Sequence, residues 1–185
     1  MRTCTLALLL ALAAPAAYAD TPAAPPSQPV ATPVPPANAK DVESIDAIVA
    51  ALYDVISGPP GQARDWNRMR SLFIPGGRLM PVGGKTRDAI GIRLLTVNDY
   101  VATSGPLLMD KGFHERELAR RTEQFGNIAH VFSTYEAKIE KDNVTLRGIN
   151  TLQLMHDGKR WWVVSLMWQA ETPELPLPAE YLSKR

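Results

Sequence analysis

Alternating polar and apolar residues in the C-terminal third constrain the fold most. Three runs there have the length and composition of β-strands: residues 127–139, 144–155 and 160–169. Asp142-Asn143 and Asp157-Gly158 separate them, and these residue types tolerate the left-handed backbone that tight turns need. The stretch 113–125 alternates more weakly and predicts a strand that opens the sheet. Four consecutive strands of this kind predict an antiparallel meander.

Helical patterns occur only upstream of these strands. The longest one has apolar residues spaced by three and four positions: Val42, Ile45, Ile48, Val49, Leu52 and Ile56. Asn38 or Asp41 can cap this helix, and Gly58 with the prolines after it ends it. A second helix is predicted around residues 62–72. Because the helices precede the strands instead of alternating with them, the class is α+β.

A third helix is predicted after Thr96. Thr96 with Asp99 three residues later forms the pattern of a capping box. Gly105-Pro106 is expected to interrupt this helix, since a proline removes a backbone donor inside a helix.

The N-terminal residues have the pattern of an export signal. Arg2 precedes a short apolar run, and Ala17-Tyr18-Ala19 gives a small-x-small cleavage site. The run is too short to span a bilayer, so no membrane span is predicted in the mature chain. We therefore expect a secreted protein, with the periplasm as its compartment.

Composition divides the chain into four parts. A linker containing seven prolines among Ala, Thr and Ser follows the signal, and such a segment is either an extended tether or a ligand for an aromatic groove. The predicted divisions are a signal peptide at 1–19, a linker at 20–40, a folded domain at 41–178 and a tail at 179–185.

Charge and cysteine content exclude several classes of function. Removing Arg2 from the 20 basic residues leaves 19, which equals the number of acidic residues, so the mature chain has no formal net charge. The sequence contains no basic stripe of the kind that binds nucleic acid, so no nucleic-acid partner is predicted. The only cysteine, Cys4, lies in the signal, so the mature chain has no disulfide and no thiolate ligand.

The motifs for phosphate and metal binding are incomplete. Gly84-Lys85 lacks the glycine that a phosphate-binding loop requires at position 79, which is leucine, so a turn is expected. The three histidines, His114, His130 and His156, lack the spacing of a zinc site. We predict no metal and no cofactor. His130 is either a structural histidine or a buried proton carrier.

The two faces of the predicted meander differ in character. A two-residue turn at Asp142-Asn143 would place Tyr135 opposite Asn150 on an apolar face. The amide of Asn150 then needs a partner, which is either Tyr135 or a ligand in a cavity that both residues line. The opposite face mixes apolar and neutral polar groups, a composition that favours a homodimer contact: His130, Phe132, Thr151 and Gln153.

Three stretches resemble bacterial proteins of the nuclear transport factor 2-like, or SnoaL-like, superfamily: residues 125–136, 147–150 and 161–165. The resemblance extends over about residues 41–178. It implies a cone-shaped, cystatin-like fold with N-terminal helices packed on a strongly curved antiparallel sheet. It also implies a cavity between them and, in many members, a homodimer. Members include enzymes, binding modules and assembly domains.

The enzymes of this superfamily provide three site patterns for comparison. Ketosteroid isomerases have a tyrosine on an early helix, a position that Tyr53 would fill, and two acids on the sheet. Residues 128–139 and 144–155 place no acid on the apolar face. Scytalone dehydratase uses paired histidines with an aspartate, and the sequence does not show a second partner for His130. The aspartate–arginine–aspartate set of limonene epoxide hydrolase is not found either.

These observations predict a secreted domain that binds a small apolar or amphipathic molecule in a cavity lined by Tyr53, Trp66, Tyr135 and Asn150. No catalytic residue is assigned. One alternative is an enzyme of isomerase or dehydratase type that uses His130 or Tyr53, and another is a structural dimerisation module. A buried, unpaired ionisable group in the cavity would favour the enzyme, whereas a cavity filled by side chains would favour the structural module.

Overall fold

A computed structural model describes residues 33–83 and 90–182. The chain divides into two units, Met1–Val30 and Ala31–Arg185, and only the second contains described residues. The predicted signal peptide, the linker up to residue 32 and the turn at Gly84-Lys85 lie outside the described residues.

Helices come first and long strands follow, as the sequence predicts. The described helices and strands are α1 (Ala39–Val42), α2 (Ile45–Ile56), α3 (Trp66–Leu72), β1 (Phe73–Gly83), β2 (Gly91–Ile92), β3 (Leu95–Thr96), α4 (Val97–Lys111), β4 (Phe113–Phe125), β5 (Ile128–Ile139), β6 (Val144–His156) and β7 (Trp161–Ala170).

The strands form one seven-stranded mixed sheet in the order β2-β1-β7-β6-β5-β4, with β3 paired to β1. The predicted antiparallel meander is formed by β4 to β7. The sheet is larger than predicted, because β1 pairs in parallel with β7. The α+β class is confirmed.

The first predicted helix is divided into two. Asn38 caps α1, and Ser44 caps α2 by accepting a hydrogen bond from the Ala47 amide at 3.0 Å. Ser44 has an extended backbone, which separates the two helices. α2 then buries Ile48, Val49 and Leu52 against the sheet.

The capping box of α4 is confirmed, since Thr96 and Asp99 exchange side-chain and backbone hydrogen bonds. The predicted interruption at Gly105-Pro106 is wrong, because α4 continues to Lys111. α4 buries residues on both sides of the proline. Tertiary packing therefore outweighs the hydrogen bond that Pro106 removes.

The predicted register of the β5–β6 hairpin is wrong by two residues. Ile139 pairs with Val144 across a four-residue turn in which Asn143 has φ 49°. Tyr135 therefore lies opposite Gly148, and Ser133 opposite Asn150. A shift of two leaves each side chain on its predicted face, because side chains alternate with a period of two.

The two faces of the sheet have different roles. The inner face carries Val131 and Leu152 and forms the core together with α2, α3 and α4. The outer face carries Phe132, and a short 3₁₀ helix, Ala179–Tyr181, packs on it: the rings of Phe132 and Tyr181 lie 5.2 Å apart. Within the described residues, no helix has the length and apolar content that crossing a bilayer requires.

Candidate functional site

A cavity of about 220 Å³ lies between the helices and the inner face of the sheet. Its walls are mainly aliphatic and aromatic side chains from α2, α3, α4 and five strands. Polar groups line only part of it: Tyr53, Tyr100, Ser104, Glu115, Tyr135 and Asn150. An apolar chamber with a few polar groups is the usual form of a small-molecule site.

Three of the four residues predicted to bind a ligand line this cavity, namely Tyr53, Tyr135 and Asn150. Trp66 does not line it. Trp66 packs on α4, where a Cβ added at Gly105 would lie 3.1 Å from Trp66 Cζ2. The absence of a side chain at Gly105 therefore allows α3 and α4 to approach closely.

Asn150 is a buried polar residue with two hydrogen-bond acceptors for its amide. Asn150 Nδ2 donates to Glu115 Oε1 at 2.9 Å and to the Tyr53 hydroxyl at 3.2 Å. Tyr135 is not its partner, so that hypothesis is wrong. Tyr135 lies over Gly148, where an added Cβ would approach the Tyr135 hydroxyl to 2.5 Å.

Tyr53 belongs to a hydrogen-bonded chain that leads away from the cavity. The hydroxyls of Tyr53 and Ser133 are 2.6 Å apart, and Ser133 donates to Glu117 Oε1. Arg120 binds the Glu117 carboxylate through two nitrogens, at 2.8 and 2.7 Å, and also reaches Asp46 at the surface. The Tyr53 hydroxyl is therefore engaged by protein atoms.

Glu115 is the cavity residue that the sequence reasoning missed. It lies on β4, which supplies Phe113, Glu115 and Glu117 to the same face before a bulge between Glu117 and Ala119. An acid was expected only on the two central strands, residues 128–139 and 144–155. The alternation that follows Phe113 places Glu115 on the same face as Phe113, but it does not show that the packing of β4, β5 and β6 brings this carboxyl group to Asn150.

Glu115 has no cationic partner to stabilise its charge. No ion pair joins it to a Lys, Arg or His among the described residues, and Asn150 is its hydrogen-bond donor. Burial raises the pKa of Glu115 to about 7, against the opposing effect of the Asn150 hydrogen bond. A carboxyl group of this kind changes charge near neutral pH.

Two phenol groups share this environment. Burial raises the pKa of Tyr100 and of Tyr135, and the charge of Glu115 raises both further. Tyr100 is 8% exposed and Tyr135 is 5% exposed. The raised pKa values keep both phenols neutral, and neither hydroxyl has a hydrogen-bond partner among the described residues, so each keeps a free O–H donor.

His130 lies on the outer face of the sheet. Its ring contacts the side chains of Gln153 and Thr151 and stacks on Phe132 with ring centroids 6.0 Å apart. It does not line the cavity, so it cannot serve chemistry there. Across residues 33–83 and 90–182, no group of three or more His, Cys, Asp or Glu residues could hold a metal ion.

Comparison with known proteins establishes the fold. No family model and no curated protein matches the sequence. A cystatin-like protein from Caulobacter vibrioides is similar in structure, with a TM-score of 0.55 and 14% identity over 71% of this chain and 90% of that one. Another cystatin-like protein, from Nostoc punctiforme, has a TM-score of 0.52 and 14% identity over 72% and 92%.

An enzyme is among the similar structures. The hexachlorocyclohexane dehydrochlorinase LinA-type3 from Novosphingobium barchaimii has a TM-score of 0.53 and 11% identity over 70% of this chain and 86% of that one. At such identities the likeness shows the fold alone. The cystatin-like fold that the resemblance to nuclear transport factor 2-like proteins implies is thus confirmed.

Proposed function

We propose that this domain binds a small, largely apolar molecule in the cavity and that Glu115 accepts a proton from it. The observation that carries the proposal is the unpaired Glu115 carboxyl group, whose pKa burial raises to about 7. An ionised carboxylate without a cation is costly in such a place, and groups of this kind concentrate at functional sites.

The cavity limits the size of the molecule. A 150 Å³ apolar cavity in a protein can hold benzene, so about 220 Å³ suits one ring with substituents. The aliphatic walls favour a hydrocarbon body. Glu115 and Asn150 lie together in the polar part of the lining, which favours a molecule with one polar group.

The phenols suggest that the polar group contains an acceptor oxygen. Tyr100 and Tyr135 line the cavity, and neither O–H has a hydrogen-bond partner among the described residues. Where that oxygen belongs to a carbonyl group, a C–H bond on the adjacent carbon would lose its proton to the Glu115 carboxylate. The C–H electron pair would form a carbon–carbon double bond, and the π pair of the carbonyl would move onto the oxygen, where a phenol O–H stabilises it. Glu115 would then return the proton.

Binding is tested by identifying the molecules that co-purify with the protein. Mass spectrometry should find an apolar molecule with the wild type and lose it with Ala137→Leu, which adds volume to the cavity wall. Lys138→Leu is the matched control, because the adjacent side chain lies on the exposed face. Equal recovery from both folded variants would contradict binding in the cavity.

Binding without catalysis is the second candidate, because an apolar cavity with a few polar groups suits a ligand whether or not a proton is transferred. Glu115→Gln separates the two functions, since glutamine keeps the acceptor oxygen for Asn150 but cannot take the proton. A purely structural module is less well supported, because side chains do not fill the cavity.

We also propose export to the periplasm and a homodimer through the outer face, as the sequence predicts. The support for export is the sequence pattern alone. For the dimer it is the mixture of His130, Phe132 and Gln153 on that face. Tyr181 covers part of Phe132, so a dimer contact would include the 3₁₀ helix.

A further inference from the structure

In the series of hydrogen bonds behind the cavity, the donor and the acceptor of each bond can be assigned, starting from Glu117. Arg120 binds the Glu117 carboxylate through two nitrogens, and this carboxylate accepts the hydroxyl proton of Ser133. The Ser133 oxygen is then left to accept. The hydroxyl of Tyr53, 2.6 Å away, therefore donates to Ser133.

This direction determines how Asn150 must be oriented. Since Tyr53 gives its proton to Ser133, its oxygen accepts from Asn150 Nδ2 at 3.2 Å. The second N–H of the same amide points to Glu115 Oε1 at 2.9 Å. The NH₂ end of Asn150 is thus held toward Glu115 by contacts that do not involve Glu115.

We propose that Ser133 and Glu117 are positioning residues, which act through Tyr53 to hold the amide N–H of Asn150 on the Glu115 carboxylate. The inference rests on the proposed function, because it assigns Glu115 as the proton acceptor. Without Ser133, the Tyr53 hydroxyl is free to donate to the amide oxygen of Asn150. The amide then rotates, and the Glu115 carboxyl group loses its only hydrogen-bond donor among the described residues.

The hydrogen bond from Asn150 and burial change the pKa of Glu115 in opposite directions. An N–H donor stabilises a carboxylate more than a neutral carboxyl group, and Asn150 lowers the pKa that burial raises. This series of hydrogen bonds does not conduct protons to the surface, because the Asn150 amide and the Arg120 guanidinium interrupt it. Its role is therefore orientation.

The test is a titration of Glu115 in the ligand-free protein. The ¹³Cδ signal of labelled glutamate is followed against pH and is assigned by its loss in Glu115→Gln. Ser133→Ala and Tyr53→Phe should each raise the midpoint by about one pH unit, the effect of losing one hydrogen bond to a charged group.

The double variant should raise the midpoint no further than either single one, because both act through Asn150. Thr134→Val is the matched control. Thr134 is buried on the same strand but donates to the Tyr181 carbonyl at 2.6 Å, so its loss should leave the midpoint unchanged.

Two results would overturn the positioning role. One is a Ser133→Ala midpoint equal to that of the wild type or of Thr134→Val, and the other is a double variant whose shift equals the sum of the two single shifts. The proposed function is contradicted separately, by a wild-type midpoint near the ordinary value of 4.5. The differences between variants still decide the positioning role in that case.

Discussion

Neutralising Glu115 should stabilise the protein at neutral and higher pH. The pKa of Glu115 is about 7 in the folded protein and 4.5 in its ordinary state. The folded protein therefore binds more protons than the unfolded chain between these values, and the free energy of unfolding falls as pH rises through this window. Below the window both states are protonated, and above it both are ionised.

The size of the effect follows from the difference between the two pKa values. At about 1.4 kcal/mol per pKa unit, ionisation of Glu115 lowers the free energy of unfolding by at most about 3 kcal/mol above pH 7. This is an upper value, because Glu115 is only partly buried and solvent screens part of the effect. The glutamine of Glu115→Gln is uncharged in the folded and in the unfolded state, so ionisation does not lower the free energy of unfolding of this variant.

The assay is urea unfolding of wild type and Glu115→Gln at a series of pH values from about 4.5 to 8.5. The stability of the variant relative to wild type should rise with pH by up to about 3 kcal/mol. Glu123→Gln, exposed near the end of the same strand, is the matched control. A relative stability that is flat with pH, or that falls, would refute the raised pKa of Glu115.

Three further predictions concern packing, capping and assembly. Gly148→Ala should lower the free energy of unfolding by about 1–3 kcal/mol, because the new Cβ would lie 2.3 Å from the Gln169 carbonyl oxygen. Gly83→Ala, whose new Cβ meets no atom of the described residues within 4 Å, is its control, and equal melting curves would contradict the clash. Thr96→Ala should cost about 1 kcal/mol by removing the cap of α4, and an unchanged urea midpoint would show that the cap is dispensable. Phe132→Glu should give monomers in sedimentation, whereas a monomeric wild type at micromolar concentration would contradict the dimer.

Local patterns predicted the elements well. The spacing of Ile48, Val49 and Leu52 identified the buried face of α2, and the pair Thr96 and Asp99 identified the start of α4. These features depend on neighbours within a few residues, so the sequence contains them directly.

Features that depend on long-range packing or on the exact conformation of a turn were missed. The continuation of α4 past Pro106 requires contacts with other elements. The hairpin register depended on the length of the turn, which Asn143 extends by adopting a positive φ. Glu115 was missed because its contact with Asn150, 35 residues away, arises only when β4, β5 and β6 pack together. A polar strand gives no local sign of that environment.

The exchange of a proton between Glu115 and a bound molecule can be measured before that molecule is identified. The wild-type protein with its co-purified molecule is incubated in D₂O. The molecule is then extracted and returned to ordinary water, and its mass is measured by mass spectrometry. Only deuterium bound to carbon survives this treatment. We predict that the molecule gains deuterium on the wild type and gains none on Glu115→Gln, although both proteins bind it. Equal deuterium on the two proteins, or none on either, would contradict proton transfer by Glu115.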